Sequence, residues 1–114
     1  MRRTWEATIA EREAELGPDT VARMAKIFLA ESKSQLTKID AALAKRDLPA
    51  ARRVARDLAE HAGSLCFEHL RRAAEEFALA CAADDCANLP SLGNALAPLV
   101  EITSIQLRAR YRLK

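Results

Sequence analysis

Few side chains in this sequence are suited to covalent chemistry. His61 and His69 offer imidazoles, and a neutral imidazole nitrogen is the group that takes up a phosphoryl group as a labile phosphoramidate. Arg56 offers the opposite: its guanidinium stays protonated at physiological pH, has no lone pair to attack phosphorus, and donates to carboxylates or phosphate instead. Cys66, Cys81 and Cys86 are an odd number without a CxxC pair, which argues against a disulfide framework and against a zinc site. Cys81 and Cys86 have no nearby histidine to complete a tetrahedral set, so no metal and no cofactor are expected.

Helical periodicity decides where these groups point. In the stretch from Val54 to Leu70, Val54, Leu58, Ala62 and Leu65 form one apolar stripe, and Arg56 projects about 160° away from Val54, toward solvent. His61 lies seven residues after Val54, shares nearly the same face, and should be partly covered by neighbouring helices. His69 opens the following helix, ahead of Arg71 and Arg72.

The remaining elements follow from the same reading. Trp5, Ile9 and Leu16 give a short helix over about residues 4–16, stopped by Gly17 and Pro18, with Trp5 as a packing anchor. Asp19 or Thr20 is expected to cap a long helix reaching about Lys45, with Val21, Met24, Phe28, Leu36, Ile39 and Leu43 inward. Asp47 is a good N-cap for the helix over about residues 48–63, and Pro49 is tolerated in its first turn. Phe67, Leu70, Ala74, Phe77 and Cys81 form the apolar face of a helix over about residues 67–83, whose exit at Asp84-Asp85 should fray against the helix dipole. A last helix from about Asn88 to Tyr111 has Leu92, Leu96, Leu99, Ile102 and Leu107 as inner positions, with a kink or interruption between Gly93 and Pro98. Short connections between amphipathic helices make antiparallel neighbours. The expected fold is all-α: one domain over residues 1–114, an up-down-up-down antiparallel four-helix bundle with a short extra N-terminal helix.

The net charge of +2, from 18 basic and 16 acidic residues, gives no global attraction to nucleic acid or to anionic membrane. Local basic groups at Arg2-Arg3, Arg52-Arg53, Arg71-Arg72 and the tail Arg108, Arg110, Arg112, Lys114 read as solvated helix faces. No apolar run approaches the ~20 residues that span a bilayer, and the amino terminus lacks the apolar core of a signal peptide. A soluble, cytoplasmic protein is expected, a monomer or weak homodimer.

The central stretch resembles the central helix of histidine phosphotransfer (HPt) domains, where an exposed histidine is followed by a lysine or small residue, a glycine, and further small residues before a turn. On that pattern Arg56 falls at the phospho-acceptor position, Ala59 at the lysine, Glu60 at the glycine, Gly63 at the later small residue, and Cys66 where a glycine often marks the turn. The resemblance covers about residues 4–111 and agrees with the four-helix topology. It implies a module of two-component or phosphorelay signalling whose partner is a response-regulator receiver domain or a histidine kinase.

The same resemblance implies that the usual chemistry is lost: Arg56 is no nucleophile, Ala59 supplies no charge, and Glu60 repels an incoming phosphoryl group. No catalytic residue is assigned, and the chain is expected not to act as an enzyme. The expected role is a non-transferring regulator or adaptor, with Arg56 entering the carboxylate cluster of a receiver domain from a docking surface of Arg52, Arg53, Arg56, Ala59, Glu60 and Gly63. Glu60, four residues after Arg56, is placed to pair with it along the helix. The alternatives are a helical interaction protein outside phosphorelays, using the basic tail, an apolar patch or self-association, and unconventional phosphotransfer through His61 or His69.

Overall fold

The computed structural model describes residues 4–113, and those residues are helical with short connections. The helices are α1 (Trp5–Leu16), α2 (Pro18–Ala44), α3 (Leu48–Ser64), α4 (Glu68–Ala82), α5 (Leu89–Asn94) and α6 (Leu96–Tyr111). Arg2, Arg3 and Lys114, named above among the basic groups, lie outside the described residues.

Each boundary has a local cause. Thr4 caps α1 by accepting from the Ala7 amide, and Asp47 caps α3 by accepting from the Ala50 amide at 3.2 Å, as expected. The start of α2 differs from expectation: Gly17 at φ +92° is the cap and Pro18 takes the first helical position, so Asp19 falls inside the first turn. There its carboxylate meets the positive end of the helix dipole instead of capping an amide.

Four helices end in the same left-handed closure, α6 by the Leu113 amide donating to Arg108 O at 3.0 Å after Arg112 at φ 54°, and the other three in the same manner. The Asp47 amide donates to Ala42 O after Arg46 at φ 55°, Phe67 to Ala62 O after Cys66 at φ 65°, and Asp85 to Ala80 O after Asp84 at φ 55°. The α4 exit is therefore closed by backbone hydrogen bonds where the adjacent aspartates were expected to leave it frayed. The last segment is interrupted as expected, α5 ending at Asn94 and α6 beginning at Leu96. Pro98 thus sits in the first turn of α6, where its missing amide would have lacked an intrahelical partner.

Helix α3 packs against α2 and α4, and α6 packs against the same two helices, so the four form a closed ring with α3 and α6 at opposite corners. Phe28, Ile39, Leu58, Leu65, Leu70, Phe77, Leu96 and Leu107 are fully buried at its centre. The inner face of α6 carries Leu96, Val100, Thr103, Ser104 and Leu107. Ile102, expected to be inward, is 56% exposed. Its place is taken by Thr103 and by Ser104, whose hydroxyl is satisfied by donating to Val100 O at 2.8 Å, so polar residues on the inner stripe concealed it.

Helix α1 is fastened at both ends. Trp5 Nε1 donates to Leu65 O at 2.8 Å and its ring stacks on Phe67 at 4.7 Å, making Trp5 the anchor the sequence implied. At the other end Glu13 receives Arg110 Nη2 at 2.5 Å and the Tyr111 hydroxyl at 2.9 Å. Arg110 also lies over the Trp5 ring, 5.8 Å from its centroid.

Trp5→Ala should cost about 3 kcal/mol in urea unfolding, and Trp5→Phe, which keeps most of the ring but loses the bond to Leu65, about 1 kcal/mol. Equal losses for the two would remove the assigned role of ring packing.

The Glu13 cluster has a pH signature. Arg110 holds the Glu13 carboxyl below its ordinary 4.5 against the opposing effect of burial, while burial, then Glu13, pushes the Tyr111 phenol from 10.0 up to about 12. Glu13 therefore contributes stability that is complete above the unfolded value and lost as pH falls through the lower folded one. Tyr111 contributes stability present below 10.0 and lost as pH rises toward about 12. Between about pH 6 and about pH 3 the melting temperature of Glu13→Gln should fall less than that of the parent; parallel curves would show that Glu13 gives no such linkage.

Candidate functional site

Helix α3 divides into two faces. Ala51, Ala55, Leu58, Ala59 and Ala62 are buried, and Arg52, Arg53, Arg56, Asp57 and Glu60 are exposed. Small alanines on the inner side let the neighbouring backbones approach closely, which holds the outer side as a firm surface. Pro49, Arg52, Arg53, Arg56, Asp57 and Glu60 line one shallow, open depression on it.

Arg52, Arg53, Arg56 and Glu60 are exposed together on this face, whereas Ala59 and Gly63 of the expected docking surface do not line the depression. Ala59 is only 4% exposed, because it lies four residues after Ala55 and three before Ala62 and shares their inward face. Gly63 is half-covered by α4: a Cβ built there would stand 3.2 Å from Arg71 Cδ. Gly63 is therefore a place of close approach between side chain and backbone, not open docking surface.

Arg71 was the residue missed. Its aliphatic stem lies beside Gly63 and its guanidinium is held by Glu68 and by both oxygens of Glu75 at 2.8 Å. The signal was present as the Glu68, Arg71, Glu75 spacing of three and four residues along α4. Those carboxylates raise the Arg71 pKa further and occupy its donors.

Among the described residues, no hydrogen bond or ion pair engages Arg52, Arg53 or Arg56. The expected Arg56–Glu60 pair is not formed, which leaves the Arg56 guanidinium with its donors free for another molecule.

The two histidines lie apart from this surface. His61 is half-buried in a different depression with Gln35, Lys38 and Asp57, and its Nδ1 is buried with no hydrogen-bond partner. Five residues separate it from Arg56, about 140° around the helix. His69 is exposed in the first turn of α4 and lines a cleft with Trp5, Arg12 and Phe67. In the basic tail Arg110 is engaged by Glu13, and Arg112 is exposed with its backbone in the left-handed cap of α6. Among the described residues, no helix is long and apolar enough to cross a membrane.

The turn after α3 carries a further clue. Cys66 has φ 65°, the left-handed region that favours glycine, at the position where the HPt pattern often places one.

The family model for the Hpt domain matches residues 23–110, from α2 to the last turn of α6. The chain belongs to the Hpt domain family, whose members are phosphorelay-related signalling modules and generally interact with kinases and receiver domains. No curated protein and no solved structure matched the chain.

Cys66→Gly should raise the unfolding free energy by about 1 kcal/mol, because the left-handed conformation strains a side-chain-bearing residue and not glycine. A higher midpoint in chemical denaturation is the expected reading; a lower one would show that packing of the Cys66 side chain outweighs backbone strain.

Proposed function

We propose that this Hpt domain is a non-transferring regulator or adaptor that binds a receiver domain or a histidine kinase through the exposed face of α3. The observation that carries the reading is the free guanidinium of Arg56, central on a firm surface and paired with no neighbour among the described residues. Resemblance places Arg56 where the family's acceptor histidine stands, facing the receiver's carboxylates.

The chemistry supports binding over transfer. A guanidinium has no available lone pair, so no phosphoramidate forms on Arg56, yet its five donors suit a carboxylate cluster. Arg52 and Arg53, one turn and nearly one turn earlier, add positive potential to the same face. Glu60 opposes that potential, which favours an approach centred on the Arg52 and Arg56 side of the depression. The reading takes α2, α3, α4 and α6 as the alternately directed bundle that short connections imply, and it places the protein in the cytoplasm with its receiver partner.

Titration with receiver domains from the same cell tests it. Binding should weaken about tenfold or more in Arg56→Ala and fall with added salt, and no phosphate should pass from a phosphorylated receiver to the parent protein. Uptake of phosphate by the parent, abolished by His61→Gln or His69→Gln, would overturn the reading in favour of transfer. Recovery of uptake in Arg56→His would show that the docking face is intact.

A further inference from the structure

The outer face of α6 bears an apolar stripe that nothing in the fold covers. Pro98, Ile102, Ile105 and Ala109 are all exposed, the two isoleucines by 56% and 57%. Their spacing of four, three and four residues places them within a band about 60° wide, roughly opposite the buried side of Leu96, Val100 and Leu107. An apolar band on that spacing is the seam by which one helix packs along another.

The charges beside the seam identify what it packs against. Glu101 and Arg108 lie on the same flank of the stripe, about 40–60° beyond its Ile105 edge. Seven residues separate them, about 10 Å along the axis, too far to pair within the helix. Arg108 is half-buried with Nε lacking a hydrogen-bond partner, and Glu101 makes no ion pair among the described residues. Each lacks what the other would supply.

A two-fold axis perpendicular to α6, passing near its midpoint between Ile102 and Ile105, supplies it. That operation lays a second α6 antiparallel on the first, sets Ile102 against the partner's Ile105 and Pro98 against the partner's Ala109, and keeps each charged flank facing its copy. Glu101 then lies about 3 Å along the axis from the level of the partner's Arg108, within side-chain reach, and the pair occurs twice.

We propose that α6 is a self-association surface and that its partner is the α6 of a second copy of this chain, antiparallel across that axis. The seam is short, so the dimer is weak, with a Kd of about 10–1,000 µM. Because α3 and α6 occupy opposite corners of the ring, the dimer leaves both α3 faces outward. The inference stands independently of what α3 binds.

Sedimentation equilibrium on the parent chain from about 10 µM to about 1 mM tests it. A concentration-dependent dimer is expected, with its Kd raised at least tenfold by Ile105→Glu, which buries charges in the seam. Glu101→Arg should raise it about three- to tenfold by setting like charges together, and adding Arg108→Glu should restore it. Circular dichroism of each variant reports whether the bundle is folded. Should Arg108→Glu unfold it, Ile105→Glu and Glu101→Arg, both at exposed positions, still decide the matter. A chain monomeric throughout the range overturns the proposal and leaves the stripe to some other partner. A dimer unmoved by those two substitutions overturns it as well, by placing self-association on another surface.

Discussion

The structure depends first on the turn between α3 and α4. Its three residues each meet a different constraint: the Leu65 carbonyl accepts from the Trp5 indole, Cys66 takes the left-handed backbone, and the Phe67 ring is clamped between Trp5 and Phe28. The Phe67 amide closes α3 by donating to Ala62 O at 2.8 Å. A turn held this way sets the direction in which α4 leaves α3. The close approach of those helices, and the position of Arg71 beside Gly63, follow from it. Helix α1 is thus part of the mechanism that shapes the central hairpin, and the Glu13 cluster ties α1 in turn to the end of α6.

That dependence explains how an alanine-lined helix can present a defined charged face. Alanine contributes little apolar area by itself, so the inward side of α3 gains its stability from proximity and from larger side chains on its neighbours, Phe28 and Phe77 among them. Close approach leaves α3 little freedom to roll. Arg52, Arg53 and Arg56 consequently project from a fixed backbone while their own side chains remain unengaged.

Much of this was legible in the sequence because each signal was local. The Asp47 cap, the Gly17-Pro18 break, the interruption before Pro98 and the exposed side of α3 follow from backbone chemistry and a 3.6-residue period. What escaped was set by contacts between helices. Ala59 and Gly63 look like open surface until α3 is packed against its neighbours, and Arg71 reads as a solvated charge until its stem is seen beside a glycine. On α6 the error came from equating apolar with inward. Thr103 and Ser104 occupy the core side and Ile102 the outer side, so hydrophobicity alone misplaced Ile102 while Leu96 and Leu107 are buried as expected.

The exposed apolar stripe of α6 and the proposed binding face of α3 bear on one another. A phosphotransfer site works by turnover, so its docking has to be brief and its surface must release the partner after the group has moved. On the proposed reading, a permanently charged arginine in that place would remove the reason for release and make occupancy the output of the interaction. Affinity per face is then the limiting quantity, and a single exposed guanidinium supplies little of it in water. The proposed pairing through α6 would raise it without altering α3: with two outward faces on one particle, a second contact would form at the high local concentration set by the first. The two proposed roles are thus linked: binding in place of transfer on α3 needs affinity, and pairing through α6 would supply it as valency.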